Sequence, residues 1–287
     1  MLSDRNNRFL LALVAFVIIA AFISSRIQTS GGTVRISEIR IPTQNGQWVA
    51  ADLFRPISAT AENPAPLVVV VPGFQRSREA LANISIELAR RGIVVISIDP
   101  YAQGRSSSSM SRRAATTEGY GSFAVVDYAA SSENLNYVDK SRIAITGHSA
   151  GGNAAIRGGN YFGKKAQASG EPSKLHSVFV SGYVLTLRDD VLKDVRSNIG
   201  VSYAFYDEGA YRNELKNGDM TVAPETLRVV NLGRDKALEP VEEIDLGHYY
   251  GDLADRTLRV VHNERILHPF QPYMPEATAN QLSLIHI

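Results

Sequence analysis

Apolar and polar residues along this chain fall into blocks whose period changes several times. Residues 9–23 (FLLALVAFVIIAAFI) are apolar without interruption and carry no polar stripe. Val34, Ile36, Ile39 and Ile41 then alternate imperfectly, as in an edge strand. Asn45-Gly46 marks a hairpin turn, and residues 47–54 read as the returning strand. After a polar, proline-bearing connection, residues 67–71 form the continuous β-branched run of a strand buried on both faces. A helix follows: Ser77 is placed to cap it, Leu81, Ile84 and Leu88 share a face, and Gly92 ends it. Further strands are predicted over 93–98, 142–146, 178–183, 199–205 and 258–261. Helical stretches fall around 123–130 and from Ala150 onward. Strand–helix alternation of this kind implies an α/β fold, a doubly wound and mostly parallel sheet with helices on both faces. Crossovers in such sheets are right-handed, and ligands bind beyond the carboxyl ends of the strands. Residues 208–255 have weak periodicity and read as an excursion over that end.

The segment Ile143-Ala144-Ile145-Thr146-Gly147-His148-Ser149-Ala150-Gly151-Gly152 places G-x-S-x-G between a predicted strand and a predicted helix. The pattern needs a very tight turn, which strains the serine and exposes its hydroxyl. Glycines flank it because a side chain there would collide with the neighbouring strand and helix. The helix N-terminus adds free N–H groups and the positive end of its dipole. Ser149 is therefore the candidate nucleophile; the alternative is a glycine-rich helix start in another kind of α/β protein. His148 and His176 read as packing residues.

With that motif in that context, residues 33–281 resemble the α/β-hydrolase superfamily, with a suggestive similarity to its dienelactone-hydrolase and polyester-hydrolase branches. The resemblance implies further roles. Val71-Pro72-Gly73-Phe74 stands where the family has its His-Gly-x oxyanion loop, with proline in place of the histidine. The donor there is a backbone N–H, so the implied hole uses the amides of Phe74 and Ala150, with Gln75 as the neighbouring alternative. Asp99, in Ile98-Asp99-Pro100, falls on a loop whose usual role is structural. A serine hydroxyl needs a base and a carboxylate to orient it, and the family's order is serine, acid, histidine. Asp207 ends a predicted strand where the family places its acid, with Glu208 next to it. Of the downstream histidines, His248 precedes the last strand, His262 ends it, and His268 lies on a loop before a predicted final helix. His268 is preferred and His262 is the alternative. Tyr203, Tyr206, Tyr211, Tyr249 and Tyr250 are candidates to line an acyl pocket, or simply pack.

The resulting expectation is an esterase-type serine hydrolase acting through a Ser149 acyl-enzyme, with no metal or organic cofactor. Two alternatives remain: a peptidase of the same fold, and a non-catalytic hydrolase-like ectodomain used in binding or sensing. The composition of the 287 residues, 44% hydrophobic and 21% charged, suits one domain with a large core. The formal charge of +1 gives no reason to expect a nucleic-acid partner. The chain has no cysteine, which excludes disulfides, thiol catalysis and thiolate metal sites.

The terminal blocks add location. Arg5 and Arg8 precede the apolar run, Ser24, Ser25 and Arg26 follow it, and Phe22 and Ile23 break any small-residue cleavage site. Residues 1–28 thus read as an uncleaved membrane anchor in preference to a removed signal peptide or a core helix. The leading arginines favour a cytoplasmic N-terminus and an extracytoplasmic hydrolase domain. The expected partners are a membrane and a small-molecule or lipid-like ester. At the other end, residues 282–287 (LSLIHI) resemble the translation of a transposon adapter used in sequencing libraries. They are expected to be non-native, with the reading frame cut short, and His286 is given no role. The alternative is an ordinary apolar C-terminal segment.

Overall fold

The β-branched runs become strands of one eight-stranded sheet, and the helical blocks cover its two faces. A computed structural model describes residues 4–111, 113–209, 213–232 and 239–285. In chain order the elements are α1 (Asp4–Gln28), β1 (Val34–Pro42), β2 (Trp48–Pro56), β3 (Ala65–Val71), α2 (Ala82–Arg90) and β4 (Val94–Ile98). Then come α3 (Ala114–Thr117), α4 (Ser122–Ser131), β5 (Val138–His148), α5 (Ala150–Ser169), β6 (Leu175–Ser181), α6 (Asp189–Leu192) and β7 (Asn198–Ala204). The last are α7 (Pro224–Asn231), β8 (Arg259–Glu264) and α8 (Pro275–Ile285).

The strand order is β1-β2-β4-β3-β5-β6-β7-β8. β2 runs antiparallel to both β1 and β4, and every pair from β4 to β8 is parallel. The two faces of β3 explain the layering. Leu67, Val69 and Val71 join the cluster that holds Val125, Val126 and Ala129 of α4 and Ala154, Ala155, Ile156 and Phe162 of α5. Val68 and Val70 face the other way, against Ile84 and Leu88 of α2 and Leu282 of α8. Leu284, also in α8, packs on Phe179 and Val260.

Several expected boundaries move. Ser77 does not cap α2. It precedes a 3₁₀ turn over Arg78–Leu81 and bonds to the Glu79 carboxylate. Gly92 does provide the positive φ, 85°, that ends this segment and turns the chain into β4. The excursion between β7 and β8 contains α7, which docks through Val229 and Val230. β1 points the same way as β3–β8, so its first residue, Val34, lies at the amino ends of the parallel strands. α1 joins the domain there, and Arg90 at the end of α2 donates to the Ile27 carbonyl at 3.0 Å. None of α1 is buried, and its 25 residues are long and apolar enough to cross a bilayer.

Candidate functional site

Ser149 sits between the last residue of β5 and the first of α5, at φ 57° and ψ −118°. A non-glycine residue holds such a conformation only when its surroundings over-determine it. Here they do: the Ser149 N–H donates to Ser181 O on β6 at 2.8 Å, and α5 continues directly from the next residue. Gly147 and Gly151 make the turn possible. A Cβ on Gly151 would lie 1.9 Å from Val71 O, and one on Gly147 would lie 2.4 Å from the Gly151 carbonyl. These are backbone atoms and cannot swing aside. Gly151→Ala is therefore expected to destabilise the domain by roughly 3 kcal/mol or more, measured as a fall in Tm or urea midpoint.

Asp207 and His268 are 61 residues apart and meet because chain pairing continues past β7 and β8. Phe205 N donates to Glu264 O at 2.7 Å, and Tyr206 N donates to Ile266 O at 3.1 Å. Two residues beyond, His268 Nδ1 lies 2.7 Å from Asp207 Oδ2. Asp207 Oδ1 also accepts the Gly209 N–H at 2.6 Å. Burial opposes ionisation of Asp207, but the hydrogen bond and charge of His268 outweigh it and hold the carboxyl below its ordinary range. The His148 ring packs on His268 with centroids 4.5 Å apart. Burial first, and then the charge on His268, pushes His148 down to about 3, so it stays a neutral neighbour.

Ser149, Asp207 and His268 line one cavity of about 210 Å³, with Tyr183 and Tyr203 in its wall. A second cavity of about 170 Å³ lies on the other side of Ser149 and His268, bounded by Gly73, Phe74 and Tyr273. The loop after β3 comes close enough that a Cβ on Gly73 would lie 3.3 Å from Ser149 Cβ. Ala150 is the first residue of α5, so its N–H has no acceptor within the helix. The Gln75 N–H, by contrast, is already donated to Gln103 Oε1, which leaves Phe74 as the less encumbered amide of that loop. A strained hydroxyl, an imidazole–carboxylate pair, the Phe74 amide on the neighbouring cavity and the free first amide of α5 are the parts that nucleophilic acyl transfer requires. Among the described residues, no three His, Asp or Glu side chains converge as metal ligands.

Residues 20–222 match the model of a family described as PETase, PET hydrolase-like. The chain belongs to the PET hydrolase-like family. Its fold is similar to that of an esterase from Pyrococcus furiosus, with TM-score 0.56 and 11% identity over 90% of this chain and 93% of that one. It is also similar to an esterase from Butyrivibrio proteoclasticus with ferulic acid bound, with TM-score 0.55 and 13% identity over 86% and 96% of the two chains. A third is an esterase from Pyrobaculum calidifontis, with TM-score 0.52 and 19% identity over 91% and 87%. No curated protein matches the chain.

The family match contains Ser149 and Asp207 and stops before His268. The other expected residues of this PET hydrolase-like chain fall in different places. His262 lies within β8 opposite Ser202, and its Nε2 is 3.1 Å from Ser283 Oγ on α8. Glu208 lines the cavity beside Asp207, whereas the pair to His268 is made by Asp207. Asp99 is buried and accepts the N–H groups of Arg78 and Arg105, each at 2.9 Å, which ties the loop after β4 to the loop after β3. Of the tyrosines, Tyr203 reaches the cavity. The Tyr249 hydroxyl donates to Ser283 O, the Tyr250 hydroxyl accepts from Asp245 N, and Tyr211 lies outside the described residues. Sequence reasoning missed Tyr183, Val184 and Leu185, which line the cavity just past β6, and Asn213. It also missed Gln271, whose Nε2 donates to Ser202 Oγ at 2.6 Å and to Glu264 Oε2 at 3.3 Å. That buried contact pins the 3₁₀ turn of His268–Tyr273 to the sheet. Position beyond a strand's carboxyl end was the available signal for Tyr183; Gln271 had none.

Proposed function

We propose that this chain hydrolyses a carboxylic ester through an acyl-enzyme on Ser149. The observation that carries the reading is the His268–Asp207 hydrogen bond beside the strained Ser149 elbow. His268 takes the Ser149 proton as the hydroxyl attacks the ester carbonyl, and Asp207 fixes the tautomer and holds the imidazolium that forms. The tetrahedral oxyanion accepts the N–H groups of Phe74 and Ala150. His268 returns the proton to the leaving alcohol, and a water repeats the sequence on the acyl-enzyme to release the acid. The two small cavities on either side of Ser149 suit an acyl group and an alcohol group of modest size, and the family's polyester-hydrolase description favours an ester.

In the same reading, residues 1–28 anchor the chain and residues 33–281 form the hydrolase domain. The arginines before the apolar run put the domain outside the cytoplasm. α1 joins the domain at the amino ends of the strands, whereas Ser149 follows the carboxyl end of β5. The seven residues of β3 alone span roughly 20 Å between these two ends. A bilayer held by α1 thus lies behind the site, and the ester arrives from solvent.

The test is turnover of p-nitrophenyl acetate and butyrate, together with labelling by a fluorophosphonate, on the full chain in neutral detergent. Turnover and a single label mapped to Ser149 are expected. A folded protein that neither turns over nor labels there sinks the catalytic reading and leaves the binding-module alternative.

A further inference from the structure

At the amino ends of β6, β7 and β8, at the end of the sheet away from Ser149, lies a basin of about 560 Å³. Four cations line it: Lys193, Arg196, Arg256 and Arg259. Two carboxylates, Glu171 and Asp255, share the wall, and both are exposed. Among the described residues, none of the four cations makes an ion pair, whereas Arg90, Arg91, Arg142 and Lys174 at the same end of the sheet all do.

Arg259 is the telling member. It is 4% exposed, its Nη1 donates to the carbonyls of Leu258 at 2.8 Å and Ser197 at 3.1 Å, and its Nε has no acceptor. Burial without a carboxylate pulls this guanidinium down to about 10. Arg256 Nη1 likewise holds the carbonyls of Ser173 and Leu175, and Arg196 Nη1 holds those of Lys193 and Val195. The bland account is that these arginines merely satisfy backbone oxygens at the strand ends. Carbonyls are neutral, however. They occupy a donor on each side chain and leave four cations against two exposed carboxylates in a partly desolvated hollow.

We propose that this basin binds a phosphate-type oxyanion, with Lys193 and Arg196 at its mouth and Arg256 and Arg259 at its floor. Forked guanidinium donors suit tetrahedral oxyanions, and an anion there would supply the missing charge. Two sources share that chemistry: free phosphate and the headgroup of an anionic phospholipid. The second is within reach because α1 leaves the domain at this same end of the strands, and that arm alone rests on the membrane reading of α1.

The experiment uses the full chain and reads its melting temperature, which a ligand of the folded state raises as its concentration passes Kd. In neutral detergent, inorganic phosphate is titrated against chloride at constant ionic strength. In nanodiscs, phosphatidylcholine is compared with phosphatidylcholine containing phosphatidylglycerol. Lys193→Ala/Arg196→Ala removes exposed side chains only, and Arg90→Ala/Arg91→Ala is the control on the same face. A saturable rise is expected in the wild type and the control, with roughly tenfold weaker binding in the basin variant. A response to inorganic phosphate assigns a free anion, and one confined to phosphatidylglycerol assigns the headgroup. No saturable response in either arm, or one unchanged in the basin variant, overturns the proposal. Ester turnover is not needed for the readout, so the outcome is independent of the Ser149 reading.

Discussion

Ser149→Ala is expected to cut kcat for p-nitrophenyl butyrate by on the order of 10⁴-fold or more while Tm stays within a few degrees. The substitution removes Oγ and keeps the backbone that holds the elbow, including the bond from the residue 149 N–H to Ser181 O. His268→Ala should match that loss and not multiply it, because serine and histidine act in one proton transfer and their effects are not additive. Asp207→Asn replaces an acceptor of the imidazole proton with an amide that can present a donor to His268 Nδ1, and so favours the wrong tautomer. It should cost roughly 10³–10⁴-fold in kcat. His262→Ala separates the histidines. Its ring serves the contact with Ser283, so the variant should lower Tm and leave kcat within a few-fold. Retention of more than a hundredth of wild-type kcat by folded Ser149→Ala, or loss of turnover in His262→Ala with His268→Ala active, would sink the proposed triad.

What the sequence disclosed follows from how local each cause is. Leu67 to Val71 could be read as a central strand because burial on both faces leaves no polar position in the run. Ser149 was legible because the elbow's constraint lies within five residues. β5 was harder: it begins at Val138, yet Asp139, Lys140, Ser141 and Arg142 hide its first half behind local polar contacts. β8 was expected to end at residue 261 and runs on through His262, Asn263 and Glu264. Those polar side chains are tolerated because their partners come from far away. Asn263 donates to the carbonyls of Tyr203 and Gly218, and the Glu264 carboxylate accepts from Ser202, Gln271 and Asn280. Hydrophobic periodicity cannot register such compensation. The same reason kept Gln271 out of view, and it left the choice between His262 and His268 to position along the chain. Ser77 failed as a cap for a different reason: a 3₁₀ turn intervenes between it and α2, so the residue spacing of a capped helix never arises.

Mild acid should destabilise the domain well before its carboxylates are protonated. His148 is buried and falls from 6.5 to about 3, and burial takes His262 from 6.5 to about 4. Burial, and then the charges of Arg256 and Arg142, also lowers His176. Above pH 6.5 these histidines are neutral whether the chain is folded or not, so they make no difference to stability. Below it, the unfolded chain takes up protons that the folded chain refuses, and the equilibrium shifts towards unfolding until the folded pKa values are reached. Each withheld proton contributes a slope of about 1.4 kcal/mol per pH unit, so His148 and His262 together approach a slope of about 2.7 kcal/mol per pH unit between about pH 6 and 5. Asp207 adds a loss in the same direction only at lower pH, as its depressed carboxyl is finally protonated. Asp52 works the other way, since burial raises its pKa despite Arg78 beside it, and one such carboxyl does not offset two histidines. Urea unfolding from pH 7.5 to 4.5 should therefore show stability flat at first and then falling below about pH 6.5. His262→Gln keeps a polar contact within reach of Ser283 and cannot titrate, and it should remove close to half of the acid slope. Stability that stays level down to pH 4.5 would mean that these rings are protonated inside the fold, and a slope identical in His262→Gln and the wild type would mean the same of His262 alone.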